Sequence, residues 1–564
     1  MVKISKYYYK IILFSFLFLA GCANQLPPGG GEKDTKPPTI VEVIPSDGTV
    51  NYNENYFELG FSEFVDKRVV KDALFISPAI EGELELDWSG KSVRVYFPGK
   101  LKANTTYSIT VGTDVTDFHE RNKMAEAFSF NFSTGPEIDR RTIAGRVFDE
   151  KPEDIMIYAF LLSDTSKVLG DRKPDYISQT GADGSYKVGG LAAGTYRVFA
   201  VRDEFRDLIF QPEQDKIGIP SGDIVLKPED SLMNNINFFI TEYDTVPPRL
   251  SNSVMTDAHH TLLSFSEPID SLSTGKKNFF IYDSTDNKQI PIDYTFKGNA
   301  KPNEIILAIK NTIPLEHSTF IFANNIADKN KNIIKQDNLA LTLSARPDTL
   351  IPDILKIIPE RRSDKVDFQN TEIYFTLNDG FDTSLIHQSI TFKDTLGNNV
   401  PFSIQTIDNA SFKVKANIEL QPRKDYLIRI NFKNVVDPAG NFTDTTFIYP
   451  FKTISGAEFT GLQGSVSNID VARNTVLILQ GRGDVAGKIY KTKLTNGNKF
   501  SFNRVEPGKY LLWGFYDDDS SGTYNYGSLK PFTFSEEFSF HPSEINLRPR
   551  WVVTDFLFVF KKSE

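Results

Sequence analysis

Apolar and polar residues alternate in this chain over short runs, and turn residues interrupt the runs every ten or so positions. Phe128-Ser129-Phe130-Asn131-Phe132 and Tyr196-Arg197-Val198-Phe199-Ala200-Val201 are examples. A period of two places successive side chains on opposite faces of a strand. Long stretches at helical spacing are rare, and 46 Phe against 5 Met add residues that suit a pleated surface. A length of 564 residues is enough for four to six domains of ordinary size. The pattern predicts an all-β chain of tandem β-sandwiches, arranged as beads on a string.

Internal repeats divide the chain. Asp34-Thr35-Lys36-Pro37-Pro38 returns as Asp244-Thr245-Val246-Pro247-Pro248 and, more loosely, as Asp348-Thr349-Leu350-Ile351-Pro352. Paired prolines stiffen a linker and offer no donor to a sheet edge. Each opening is followed by a strand end: Phe61-Ser62-Glu63-Phe64-Val65-Asp66, Phe265-Ser266-Glu267-Pro268-Ile269-Asp270 and a worn version, Phe375-Thr376-Leu377-Asn378. An aromatic strand position comes later, at Tyr107, Phe320 and Tyr426, and then an Asp/Asn turn. The turns are Val115-Thr116-Asp117, Ile326-Ala327-Asp328-Lys329-Asn330 and Val436-Asp437-Pro438-Ala439-Gly440-Asn441. This pattern resembles the bacterial Ig-like domain named after the S-layer protein SbsA, over 37–135, 247–345 and 352–455. The resemblance implies that these motifs are shape determinants.

A second repeat fills the gaps. Ile143-Ala144-Gly145-Arg146-Val147, Asp183-Gly184-Ser185-Tyr186 and Ala193-Gly194-Thr195-Tyr196 correspond to Leu462-Gln463-Gly464-Ser465-Val466, Asn496-Gly497-Asn498-Lys499-Phe500 and Pro507-Gly508-Lys509-Tyr510. Asp-Gly and Asn-Gly favour tight hairpin turns. The two segments, 140–240 and 458–564, resemble carboxypeptidase-regulatory-like (transthyretin-like) sandwiches, which carry no catalysis themselves.

The first residues carry Lys3, Lys6 and Lys10, and an apolar run from Ile11 to Ala20 follows, broken only by Ser15. That run is shorter than the roughly 20 residues a bilayer span needs, and it reads as a signal peptide over 1–21. Its ending, Leu19-Ala20-Gly21-Cys22, resembles the lipobox of bacterial lipoproteins. The resemblance implies cleavage before Cys22 and acylation of its thiol and new amino group, so that the lipid bilayer is one partner. Cys22 is the only cysteine in the chain. Residues 22–36 hold Pro27-Pro28-Gly29-Gly30-Gly31 and read as a flexible tether. Asn24 stands where an Asp would mark inner-membrane retention in the well-known sorting rule, so the expected location is the outer membrane, on either face. The domain set resembles that of Bacteroidetes-like surface lipoproteins.

The net charge of −10 argues against a nucleic-acid partner, which would demand a basic face. Zinc-protease, nucleophile-elbow and phosphate-loop motifs are absent from the sequence. The adjacent His259 and His260 point to opposite faces of a strand, would not share a metal, and read as a solvated strand or turn. Glu63 and Glu267 fall in different domains at equivalent places, which favours structure over catalysis. One loop is sharper. Asp517, Asp519 and Ser521 alternate, Gly522 stands sixth, and the Thr523 carbonyl and Asn525 follow, as in the first half of an EF-hand-type calcium loop. The acid expected at the twelfth position is replaced by Ser528. Ca2+ at this loop is the one cofactor the sequence suggests.

The function these features imply is that of a non-enzymatic, lipid-anchored outer-membrane protein. It would act as a protein-interaction scaffold toward an envelope or surface protein, such as an accessory of outer-membrane protein or surface-lipoprotein assembly. A glycan-binding or adhesive module is the alternative, resting on Trp88, Trp513 and Trp551. An unrecognised hydrolase comes third.

Overall fold

The computed structural model describes residues 33–80, 82–162, 172–495 and 497–563. The signal segment, Cys22, most of the tether and Asn496 lie outside the described residues. Strands dominate, and the helices among the described residues are single turns such as Lys67–Val70 and Ile386–Ser389. The fold is all-β, built from small sheets packed as tandem sandwiches, as the alternating pattern requires.

The chain divides into two compact units. Of the described residues, one comprises those up to 202 with 207–209 and 223–238; the other comprises 203–206, 210–222 and those from 239 on.

In the first unit, residues 37–135 form a sandwich. One sheet runs Ile40–Ile44, Tyr56–Phe61, Ser92–Tyr96, Glu85–Ser89 in spatial order, and the other runs Leu74–Ser77, Thr106–Val111, Phe128–Ser133. Phe57, Leu59, Val93, Val95, Ile109 and Phe130 project between the sheets and are fully buried or nearly so. The sandwich that follows pairs Tyr176–Gln179, Met156–Leu161 and Gly194–Arg202 with Ile224–Leu226, and faces Ser185–Leu191 on Arg141–Phe148.

The second unit repeats the first plan twice. Leu250–Met255, His260–Phe265, Glu304–Ala308 and Tyr294–Phe296 form one four-stranded sheet, and Ile354–Ile358, Glu372–Leu377, Ser411–Ala416 and Phe402–Asp408 another, each with an opposing sheet. The last sandwich is built on Thr475–Arg482 and Gly508–Tyr516, facing Lys499–Val505, Thr460–Ser467 and Val552–Val559.

Repeated small contacts explain why the motifs recur. Lys102 N donates to Tyr107 Oη at 2.9 Å, and Gln421 N to Tyr426 Oη at 3.0 Å. Thr134 and Thr453 each accept a backbone N–H and donate to the carbonyls of Lys102 and Gln421 at 2.6 Å. In the other repeat, Tyr196 Oη and Tyr510 Oη donate to the carbonyls of Ala192 and Glu506, four residues earlier. Gly145 and Gly464 have one reason in common. A Cβ on Gly145 would stand 1.9 Å from the Ile236 carbonyl oxygen, and one on Gly464 would stand 1.8 Å from that of Phe556. A neighbouring backbone passes too close for any side chain.

The structure corrects one register. Ile40 pairs with Phe61, Leu250 with Phe265 and Ile354 with Leu377, and every first strand bulges just after that pair. The third counterpart of Phe-Ser-Glu-x-x-Asp is therefore Leu377-Asn378-Asp379-Gly380-Phe381-Asp382, two residues later than the worn version suggested. Side-chain chemistry agrees. Ser62 Oγ, Ser266 Oγ and Asn378 Oδ1 each accept the N–H of the facing first strand, from Thr39, Arg249 and Asp353. Asp66, Asp270 and Asp382 each cap the helical turn that follows. The identities changed while their hydrogen-bonding roles stayed, which hid the match from pattern reading.

Candidate functional site: carboxylates at the head of each Ig-like domain

Three segments far apart in sequence meet at the N-terminal end of each Ig-like sandwich. The linker Asp (Asp34, Asp244, Asp348) turns the chain, its Oδ1 accepting the N–H two residues on at 2.9 Å in all three copies. Such a turn is the ordinary work of an Asp before a domain start. The turn Asn (Asn122, Asn332, Asn441) donates from Nδ2 to the linker Asp carbonyl at 3.1, 3.0 and 3.3 Å. The turn Asp (Asp117, Asp328, Asp437) in turn holds that Asn through its backbone N–H. The third segment is the strand end that carries Glu63, Glu267 or Asp379.

The consequence is a tight carboxylate cluster at the second and third heads. Asp244, Glu267 and Asp328 bring one oxygen each within 4.8 Å of one another, and so do Asp348, Asp379 and Asp437. Burial and then the charges of Asp244 and Asp328 push Glu267 up from 4.5 to about 7. Burial, then Asp34 and Asp117, raise Glu63. Like charges drawn together resist ionisation.

The third cluster is the most buried, because it also lies against the preceding sandwich. Within the second unit, Asn409 N donates to the Thr295 carbonyl, Thr295 N donates to Asn409 Oδ1, Lys297 N donates to Asp408, and Phe296 packs where Gly380 has no side chain. Into this joint comes His260, only 6% exposed. Its Nδ1 lies 3.1 Å from Asp257 Oδ1, and its Nε2 lies 3.0 Å from Asp379 Oδ1. Burial opposes the imidazolium charge, but Asp257 and Asp379 outweigh it and carry His260 up from 6.5 to about 10. The expectation of a solvated His260 is thus corrected: an alternating strand pattern does not say that a second domain covers one of its faces. His259 does point away, with Nδ1 3.0 Å from the Ile309 carbonyl. Burial is the first influence on Asp348 and Asp437, and both are raised.

The calcium-type loop keeps its residues together. Asp517 is fully buried, its Oδ1 accepting Gly522 N and its Oδ2 lying 3.4 Å from Lys493 Nζ. Asp519 accepts Ser521 N and Asn525 Nδ2, and Ser521 Oγ donates to the Thr523 carbonyl. Ser528 lies in a short strand, Ser528–Leu529. A further acid reaches the loop from outside it: Glu536, whose oxygens accept Asp518 N and Asn525 N, clusters with Asp517 and Asp519. Of the tryptophans, Trp513 is buried, Trp88 is half-buried against Phe61, and Trp551 is 71% exposed.

Sequence reading named Asp34, Asp244 and Asp348 as linker residues and Asp117, Asp328 and Asp437 as turn residues, but did not bring the two sets together. The available signal was their strict co-occurrence with an acid after the strand end. Asp379 and Asp257 went unnoticed, the first through the register slip and the second because nothing local marks it.

The bacterial Ig-like domain family matches residues 34–134 and 348–453, so two bacterial Ig-like domains are present. The central segment, despite its clear Phe-Ser-Glu, falls outside the two matches, and its place among them rests on sheet order and the shared head bonds above. No curated protein matches the chain. Among solved structures, domains 1–6 of the surface layer protein SbsC are similar at 10% identity over 85% of this chain and 64% of that one, with a TM-score of 0.15. The N-terminal part of SbsC is similar at 11% identity over 36% and 44%, with a TM-score of 0.16. The first four Ig domains of Dscam1 isoform 8.4 are similar at 10% identity over 74% and 100%, with a TM-score of 0.17. The chain spans less than two thirds of the length of these S-layer structures.

Proposed function

We propose that this protein is a non-catalytic, lipid-anchored envelope protein of the outer membrane, held at Cys22, whose row of sandwiches presents edges and loops to a protein partner. The observation that carries the reading is an Ig-like array whose recurrent polar groups are spent on tying each linker to the head of its own sandwich. Asp244 and Asp328 accept backbone and asparagine donors, and the equivalent residues do so at the other heads. A sheet edge is available at the last sandwich. Strand Val552–Val559 ends its sheet, with Trp551, Val552, Leu557 and Val559 exposed. Such an edge can take another chain's strand. Affinity isolation from intact outer membranes tests the reading. Recovery of an envelope protein above a lipoprotein control supports it, and recovery of none overturns the scaffold role.

Glycan binding is the second reading, and exposed Trp551 is what favours it. Retention on immobilised cell-surface polysaccharide, lost in Trp551→Ala, would move the function there. A hydrolase retains one supporting feature, since Glu267 meets two further carboxylates and sits near pH 7. The same linker bond recurs at all three heads, which supports a structural role for that cluster. A calcium ion at the Asp517 loop belongs to the same proposal, with Glu536 supplying the acid that position twelve lacks. Asp517→Asn should remove one bound Ca2+ per chain, and unchanged stoichiometry would dismiss it.

A further inference from the structure

The joint between the second and third Ig-like sandwiches holds four carboxylates, Asp257, Asp348, Asp379 and Asp437, around one imidazolium. Asp379 and Asp348 side chains are only 2% and 3% exposed. Asp379 Oδ1 accepts Gly380 N and faces His260, while Asp348 Oδ1 accepts Leu350 N. The second oxygen of each, Asp379 Oδ2 and Asp348 Oδ2, is buried and accepts no hydrogen bond. Asp437 brings an oxygen to the same point, all three within 4.8 Å. Among the described residues, no lysine or arginine pairs with any of these three.

Buried carboxylate oxygens without donors are costly, and two of them beside a third carboxylate, Asp437, whose oxygens accept only from Asn441, are costlier. The His260 charge settles only part of this account: its Nε2 faces the opposite oxygen of Asp379, and its Nδ1 faces Asp257 and stands 3.8 Å from Asp348 Oδ2, too far for a hydrogen bond. The convergence calls for a compact cation on the far side. All ligand atoms offered are hard carboxylate oxygens at a crowded, largely dehydrated point. That favours Ca2+, which accepts irregular oxygen shells, over Mg2+, which keeps several waters in a strict octahedron.

We propose that Asp348, Asp379 and Asp437 bind one Ca2+ at this joint, with Asp379 bridging the ion through Oδ2 and His260 through Oδ1. The ion ties the linker (Asp348), the strand end (Asp379) and the turn (Asp437) of the third sandwich, and through Asp379 and His260 it reaches the second. Calcium therefore stiffens the array at this joint. The other heads differ in a way that matters: none of their carboxylate oxygens is buried without a donor.

The test uses the full chain in detergent, stripped with EGTA and titrated with Ca2+ by calorimetry and equilibrium dialysis. Asp348→Asn is the chosen variant because its Oδ1 can still accept Leu350 N. The proposal expects Asp348→Asn to lose one Ca2+ per chain, or to bind it at least tenfold more weakly, while Asp517→Asn retains that ion. Hydrogen exchange on the wild type should show Ca2+-dependent protection at 348–350, 378–380 and 437–441. Asp437→Asn provides a second reading if Asp348→Asn does not fold. Equal stoichiometry and affinity in these variants and the wild type, or no protection at those segments in millimolar Ca2+, would overturn the assignment.

Discussion

Replacing His260 by Gln is the sharpest perturbation of the joint. Gln keeps volume and polarity but removes the charge that faces Asp257 and Asp379. The lift of His260 from 6.5 to about 10 corresponds to about 5 kcal/mol between its protonation states. Asp257 moves less, from 3.8 to about 2, or about 2.5 kcal/mol, because burial pushes it up against the pull of His260 and of two backbone N–H groups. Removing one partner of a buried ionic group costs about 3–5 kcal/mol by general experience, so a loss of about 3 kcal/mol is the expected size. The sign with pH is fixed. A raised histidine stabilises fully below 6.5, and that stabilisation disappears as pH climbs through about 10. The assay is local opening by hydrogen exchange, because a chain of several sandwiches has no single unfolding free energy. Amides of His260–Phe265 and Glu372–Leu377 should open more easily in His260→Gln at pH 6 to 8, and the difference should shrink above pH 10. Equal protection at pH 7, or a gap that persists undiminished above pH 10, would refute the account of the joint.

Gly464→Ala should destabilise the last sandwich by about 3 kcal/mol or more, since backbone must move to admit the methyl; a thermal melt with an unchanged final transition would contradict this. Asn441→Ala removes the donor to the Asp348 carbonyl and should cost about 1 kcal/mol, read as faster proteolysis of linker 346–353. Glu267 is raised, so ionising it opposes folding. The central sandwich should lose stability as pH rises from 4.5 through about 7, and Glu267→Gln should flatten that slope in exchange measured across the range.

Much of this fold was legible because its determinants are local. Alternation marked the strands, and the recurrent Tyr107 and Tyr426 positions proved to make short-range bonds, each to a backbone N–H five residues earlier. The heads were half legible. Each of their three acids carries a local reason, a turn, a cap or a strand end, and only the fold shows that the three reasons meet. Asp379 was lost because Asn378 does the work of a serine and Leu377 that of a phenylalanine. His260 was misread because burial by a neighbouring domain leaves no periodic mark. Glu536 was invisible for the same kind of reason: it completes the Asp517 loop from a segment that no loop spacing includes.

The anchor is the premise on which the proposed role depends, and one residue decides it. Membranes from cells expressing wild type or Cys22→Ala, washed with carbonate and probed for this chain, measure it directly. The account predicts that wild type stays with the outer membrane and incorporates labelled fatty acid, while Cys22→Ala is released unlabelled. Equal retention of both proteins in the washed membrane would contradict it.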